Sequence, residues 1–234
     1  MKTFWFNYKY SYSIVFFVFT LTLTLLFQSC DSPILHNKKS EGIIEYKVEA
    51  VDKNHPLAAL APDKAVLKFK DNKYRIEMST MGVFKIIFIL DGSKKTLTEM
   101  IKFMDIKNAC IETQQDLIKE ANLYALKFKN TNEKKDIAGY KCTKLMAYYV
   151  SNPQDSFEVF YTKQLEPANI YDLSAYKGID GMLMKYRLRK WGLELQFEAQ
   201  NVSLQQVPDE EFELPSYYKV ITKEEMEKFI KDLQ

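Results

Sequence analysis

From residue 41 to 51 the chain reads Glu-Gly-Ile-Ile-Glu-Tyr-Lys-Val-Glu-Ala-Val. Ile44, Tyr46, Val48 and Ala50 fall on one side of an extended chain, and Glu45, Lys47 and Glu49 on the other. A period of two fits a strand with one buried face, not a helix. The pattern returns all along the chain and constrains the fold more than any other feature. Leu67 and Phe69 alternate with Lys68 and Lys70; Tyr74, Ile76 and Met78 alternate with Arg75 and Glu77. Asp71-Asn72 between them marks a hairpin turn without the usual glycine. Residues 83–90 are apolar on both faces, which predicts a central strand ended by Asp91-Gly92. Residues 96–104 are expected to pair back.

At Thr113 the period changes. Thr113 and Asp116 fit a helix start, and Leu117, Ile118 and Ala121 follow at helical spacing. This predicts a helix over 113–122 across one face of the sheet. Residues 126–130 and 137–150 read as a hairpin about Asn132-Glu133. Residues 157–162, 183–188 and 193–199 read as further strands, and a short helical turn is expected between His55-Pro56 and Ala61-Pro62. Near the end, Thr222 and Glu225 form a capping-box pattern ahead of the apolar stripe Met226, Phe229, Ile230, Leu233. The sum is a mainly β (α+β) fold: a curved antiparallel half-barrel of about 8–10 strands with one or two helices.

The first forty residues are of another kind. Lys2 and Lys9 precede an apolar run over 14–27, and Leu25-Leu26-Phe27-Gln28-Ser29-Cys30 ends it. A basic start, an apolar core of ~7–15 residues and a small residue before the cut describe a signal peptide. A membrane span would need ~20 apolar residues, and this run holds Thr20, Thr22 and Thr24. The segment resembles the lipobox of bacterial lipoproteins, with Phe27 where leucine is usual and Gln28 bulkier than usual. Residues 1–29 are thus expected to be a signal, residues 30–40 a lipid-bearing Cys30 and linker, and residues 41–234 one β domain. No acidic run follows Cys30, so the expected place is the outer membrane, facing the periplasm.

Charge narrows the partners. With Lys2 and Lys9 removed, 31 basic residues stand against 31 acidic ones, which leaves no electrostatic footprint for nucleic acid. About 200 residues suffice for one sizeable core. Cys110 and Cys142 are candidates for a disulfide in an oxidising compartment; the alternative is two separate buried thiols.

Several short motifs point to one family: Ile137-x-Gly139-x-x-Cys142, Tyr161-Thr162 closing a strand, the two-glycine turn at Gly178 and Gly181, and Phe212-x-Leu214-Pro215 followed by Tyr218. Together they resemble Bacteroidota lipoproteins of unknown function with a LolA/LolB-like domain. One branch of that family has proline where this chain has Asp180. The resemblance implies an unclosed antiparallel barrel with a helix across its mouth; in LolA-like proteins the hollow receives acyl chains.

The expected function is therefore a lipid-anchored, non-catalytic module that holds an acyl chain or other apolar ligand. Phe69, Met78, Phe88 and Tyr161 are the candidate cavity lining. The alternative is a structural or interaction lipoprotein of the envelope with no small ligand. For an enzyme, the chain offers only His36 and His55, and no HExxH, GxSxG or phosphate-cradling glycine loop. No metal site or cofactor is expected. Tyr148-Tyr149 and Tyr217-Tyr218 do not suggest a glycan platform, because strand alternation would part the members of each pair.

Overall fold

The computed structural model describes residues 40–80, 82–165 and 171–233. The signal, Cys30 and the linker lie outside the described residues. Six strands come first: β1 (Glu41–Ala50), β2 (Lys64–Lys70), β3 (Lys73–Thr80), β4 (Phe84–Asp91), β5 (Thr96–Phe103) and β6 (Ile106–Glu112). Helix α1 (Gln114–Leu123) follows, then β7 (Leu126–Ile137), β8 (Tyr140–Tyr149), β9 (Asn152–Thr162), β10 (Met182–Lys190) and β11 (Leu193–Ser203). The chain closes with β12 (Lys219–Val220) and α2 (Lys223–Lys231). Short 3-10 turns occupy Pro56–Leu60 and Asp209–Phe212.

Among the described residues all twelve strands join one sheet, in the order β12-β6-β5-β4-β3-β2-β1-β11-β10-β9-β8-β7. Two runs of hairpins, β1 to β6 and β7 to β11, meet where β1 pairs β11. The strand count exceeds the expected 8–10, because β6 and β12 have too little alternation to read from sequence. The sheet is also mixed, since β12 runs parallel to β6. A second correction concerns the β7–β8 turn. Asn132-Glu133 is not a turn; the ladder skips there as a bulge between Asn130 and Lys134. The chain reverses instead at Ala138-Gly139, both at positive φ (49° and 81°), as a tight two-residue hairpin requires.

The sheet curls strongly. β10 and β5 lie six strand spacings apart, on the order of 30 Å in a flat sheet. Yet the Lys190 ammonium on β10 sits 3.4 Å from the Glu99 carboxylate on β5. Their side chains meet across the concave face, so the sheet is bent into an open trough. Its floor is a buried core that includes Ile44, Tyr46, Phe69, Phe88, Met184 and Phe197. Tyr186 and Phe197 stack at 4.9 Å, and Tyr46 meets both edge-on. The Tyr46 hydroxyl donates to the Leu183 carbonyl at 2.8 Å, so this buried phenol is satisfied.

The convex face is covered in one place. Ile87, Ile89, Met100, Ala109 and Tyr218 form a smaller cluster with Phe212 and Leu214 against it. That explains why β4 is apolar on both faces. The acidic stretch before Pro215 is therefore a docked strap: Glu211 pairs with Lys68 and lies 3.7 Å from Arg75, and Asp209 pairs with Lys70.

Candidate functional site

The site grows from the inward register of β10. Past the bulge between Leu183 and Lys185, Tyr186, Leu188 and Lys190 continue one face, and the last of these is charged. Pairing with β9 stops at Lys185. Beyond it, the Tyr176 hydroxyl takes over both backbone groups of Arg187, accepting from its N–H and donating to its carbonyl. The Tyr171 hydroxyl likewise accepts from the Leu183 N–H at 3.1 Å. Residues 171–176 are thus fastened over one side of the trough.

Helix α1 covers another side. Thr113 and Asp116 form a reciprocal capping box, as expected, and Leu117 is buried. Between α1, the 171–176 segment and the sheet lies an apolar chamber of about 150 Å³, lined by Leu67, Tyr74, Phe88, Leu117, Ala121 and Tyr186 among others. On the other side of α1, toward α2, lies a larger polar space of about 470 Å³. Glu120, Tyr124 and Lys190 line both.

Charges concentrate at that shared wall. The Lys190 Nζ donates to Glu112 Oε1 at 2.8 Å and to Glu120 Oε2 at 2.7 Å, with Glu99 Oε2 at 3.4 Å. Lys223 of α2 holds the second oxygen of Glu112. Glu99 and Glu112 are 3% and 1% exposed. Burial works on Glu99 first and pushes its carboxyl up to about 8, although Lys190 pulls the other way. Burial also acts upward on Glu112, but the Lys190 and Lys223 ammoniums outweigh it and hold that carboxyl below its usual range. For Lys190 the cost of burial is outweighed by Glu99, Glu120 and Glu112, so its ammonium is held on. Glu99 Oε1 is buried with no hydrogen-bond partner.

A second network gathers around Arg189. Tyr149 donates to Glu194 at 2.7 Å, Arg189 binds Glu194 and Asp155, and Arg189 and Arg187 lie over the Tyr149 and Phe157 rings. It ties β8, β9, β10 and β11 together.

Of the expected lining residues, Phe88 lines the apolar chamber, and Phe88 with Met78 lines a smaller void of about 30 Å³. Phe69 is buried in the core, and Tyr161 is half-buried against Gly181. Cys110 and Cys142 are both buried and free. The bridge does not form: β6 and β8 stand near opposite ends of the sheet order. Burial pushes both thiols up to about 11, so they are inert. His55 accepts from the Leu57 N–H and caps the 56–60 turn. Tyr217 and Tyr218 sit in a turn, so strand alternation does not apply; their rings are 5.2 Å apart, with Tyr218 buried. Glu99, Glu112 and Lys190 were not singled out from sequence. The available signal was alternation: Glu99 falls in register between Leu97 and Ile101, and Lys190 ends the inward series of β10. Among the described residues no group of acidic, cysteine or histidine side chains is placed to hold a metal ion, and no helix is long and apolar enough to cross a membrane.

No family model matches the chain, and no curated protein matches it. Among solved structures it is similar to PNGF-II in the P21 space group, at 14% identity and a TM-score of 0.51, over 83% of this chain and 34% of that one. The C2 form of PNGF-II gives 17%, 0.50, 82% and 32%. The chain thus spans about a third of PNGF-II, and the likeness is one of fold. An uncharacterized conserved protein from Thermus thermophilus superposes more loosely, with a TM-score of 0.44 at 9% identity, over 80% of this chain and 93% of that one.

Proposed function

We propose that this is an envelope lipoprotein, anchored through Cys30 at the outer membrane and facing the periplasm, whose LolA-like β domain binds and does not catalyse. The observation that carries the reading is the apolar chamber between the concave face and α1. Its walls are mainly aromatic and aliphatic, with charge contributed by Glu120 of α1 and by Arg187, Arg189 and Lys190 of β10. At about 150 Å³ it falls below the roughly 300–1,000 Å³ usual for ligand sites. An apolar cavity of that size takes a group no larger than about a benzene ring. The chamber therefore suits the end of an apolar ligand, and a long acyl chain enters only if α1 shifts outward.

Native mass spectrometry after gentle extraction tests this. Wild type is expected to retain or take up an apolar compound. Ala121→Phe, which fills the chamber, should lose it while keeping the same circular dichroism. A wild-type domain that neither retains nor takes up lipid sinks the carrier reading. Anchoring is separate: Cys30→Ser should leave the membrane fraction, and a variant that stays there has another anchor.

The small chamber also favours a second reading, an interaction lipoprotein with no small ligand. Copurification with an outer-membrane complex while the chamber stays empty would select it.

A further inference from the structure

The polar space between α1 and α2 is the larger of the two, and nothing above assigns it a ligand. Its floor holds Glu99, Cys110 and Glu112; Glu120 and Tyr124 come from α1, and Lys223, Met226 and Ile230 from α2. Lys190 and Trp191 close it on the β10 side. Two features set it apart from an ordinary ion-paired surface. The first is the unpaired Oε1 of Glu99, on a side chain only 3% exposed. Buried oxygens of this kind nearly always have a donor. The second is charge: with Glu99 protonated, five carboxylates still line the space against four lysines. The two lysines nearest the floor are already engaged, Lys190 by three carboxylates and Lys223 by Glu112.

We infer that this space binds a primary ammonium group carried on a short apolar body, with Glu99 Oε1 as the acceptor the ligand satisfies. An ammonium brings three N–H donors and a positive charge, which are the two things the site lacks. The terminal torsion of a glutamate is broad, so a small carboxyl rotation presents Oε1 to the space. Tyr124, Trp191, Met226 and Ile230 supply an apolar wall for the rest of the molecule, and a cation beside an indole gains further attraction. A carboxylate ligand would meet the acidic excess instead. The groups facing Glu99 from the surrounding elements are Cys110 and Glu112 on β6, Glu120 on α1, Lys190 on β10 and Lys223 on α2. The site shares Glu120, Tyr124 and Lys190 with the apolar chamber, but Glu99 lines only this space and Ala121 only the chamber.

The probes are n-hexylammonium chloride, sodium hexanoate and 1-hexanol, titrated calorimetrically into the full-length protein at pH 6.5. Hexylammonium is expected to bind at least tenfold more tightly than either of the others. A cation beside Glu99 favours its ionised form, so binding should release a proton, seen as a heat that changes with the ionisation enthalpy of the buffer. Glu99→Gln should weaken hexylammonium at least tenfold and abolish the proton release, whereas Ala121→Phe should leave both unchanged. Hexanoate or hexanol binding as well as hexylammonium overturns the inference, as does hexylammonium binding without proton release. If hexylammonium fails to bind, the inference falls while the chamber reading stands on its own mass-spectrometric test. Should Glu99→Gln not fold, the wild-type selectivity and proton release still decide.

Discussion

At the scale of single residues, the cluster around Lys190 makes the sharpest demands. Removing its ammonium leaves Glu120 without its partner and Glu112 with Lys223 alone, so Lys190→Met is expected to destabilise the domain by about 3–5 kcal/mol at neutral pH, read from urea unfolding. Glu99 gives an unusual pH dependence. Its carboxyl is raised to about 8 in the folded protein. The folded state therefore keeps a proton that the unfolded chain gives up near the ordinary carboxylate value. Stability from this group is present at low pH and declines as pH climbs toward 8, the reverse of a salt-bridged carboxylate such as Glu112. Wild type should lose ground to Glu99→Gln between pH 5.5 and 8; a constant difference in urea midpoint would contradict the assignment. Two glycines separate strain from collision. At Gly181 (φ 146°) an added Cβ would sit 2.4 Å from the Thr162 carbonyl, while at Gly178 (φ 90°) it meets nothing within 4 Å. Gly181→Ala should cost well over 2 kcal/mol, and Gly178→Ala only about 1–2 kcal/mol from backbone strain. Sequence pointed to this turn but could not rank its glycines, because the clash is with a strand nineteen residues earlier.

At the scale of elements, the strands with clean alternation were legible. β1, β2 and β3 lie as expected, because each has one wet face. Both helices begin at their capping boxes, Thr113–Asp116 and Thr222–Glu225. Thr113→Ala should therefore loosen α1 at a cost of about 1 kcal/mol, seen as faster amide exchange in that helix. The misread turn has a physical cause. Lys-Asn-Thr-Asn-Glu-Lys-Lys has the composition of a loop, but β7 is an edge strand whose polar side chains face water. Charged edges of this kind discourage pairing with other chains. Ala138 is a poor residue for φ 49°, and Ala138→Asn would give the Asn-Gly pair such turns prefer. That variant is expected to raise the urea midpoint. The Glu99–Lys190 meeting was not legible, since it depends on curl across six strand spacings and not on any local spacing.

At the scale of the whole molecule, the trough and its two adjoining spaces follow from how far the sheet bends and from where α1 lies. Strand alternation indicated a curved β fold but carried no measure of how far the sheet bends. The thiols offer a global check. Cys110 and Cys142 should both react with a thiol reagent once the chain is unfolded without reductant, and reductant should not shift the unfolding midpoint. The joint between β1 and β11 has a consequence for how the molecule is made. Each run of hairpins closes through neighbours near in sequence, whereas this joint brings together segments about 150 residues apart, and contacts of that kind slow folding. The two hairpin runs should form first and the joint last. Val48→Ala, at the joint opposite Phe197, should then speed unfolding far more than it slows folding. A newly made chain would carry both halves of its core exposed until that final pairing, which marks the interval in which it is most open to aggregation.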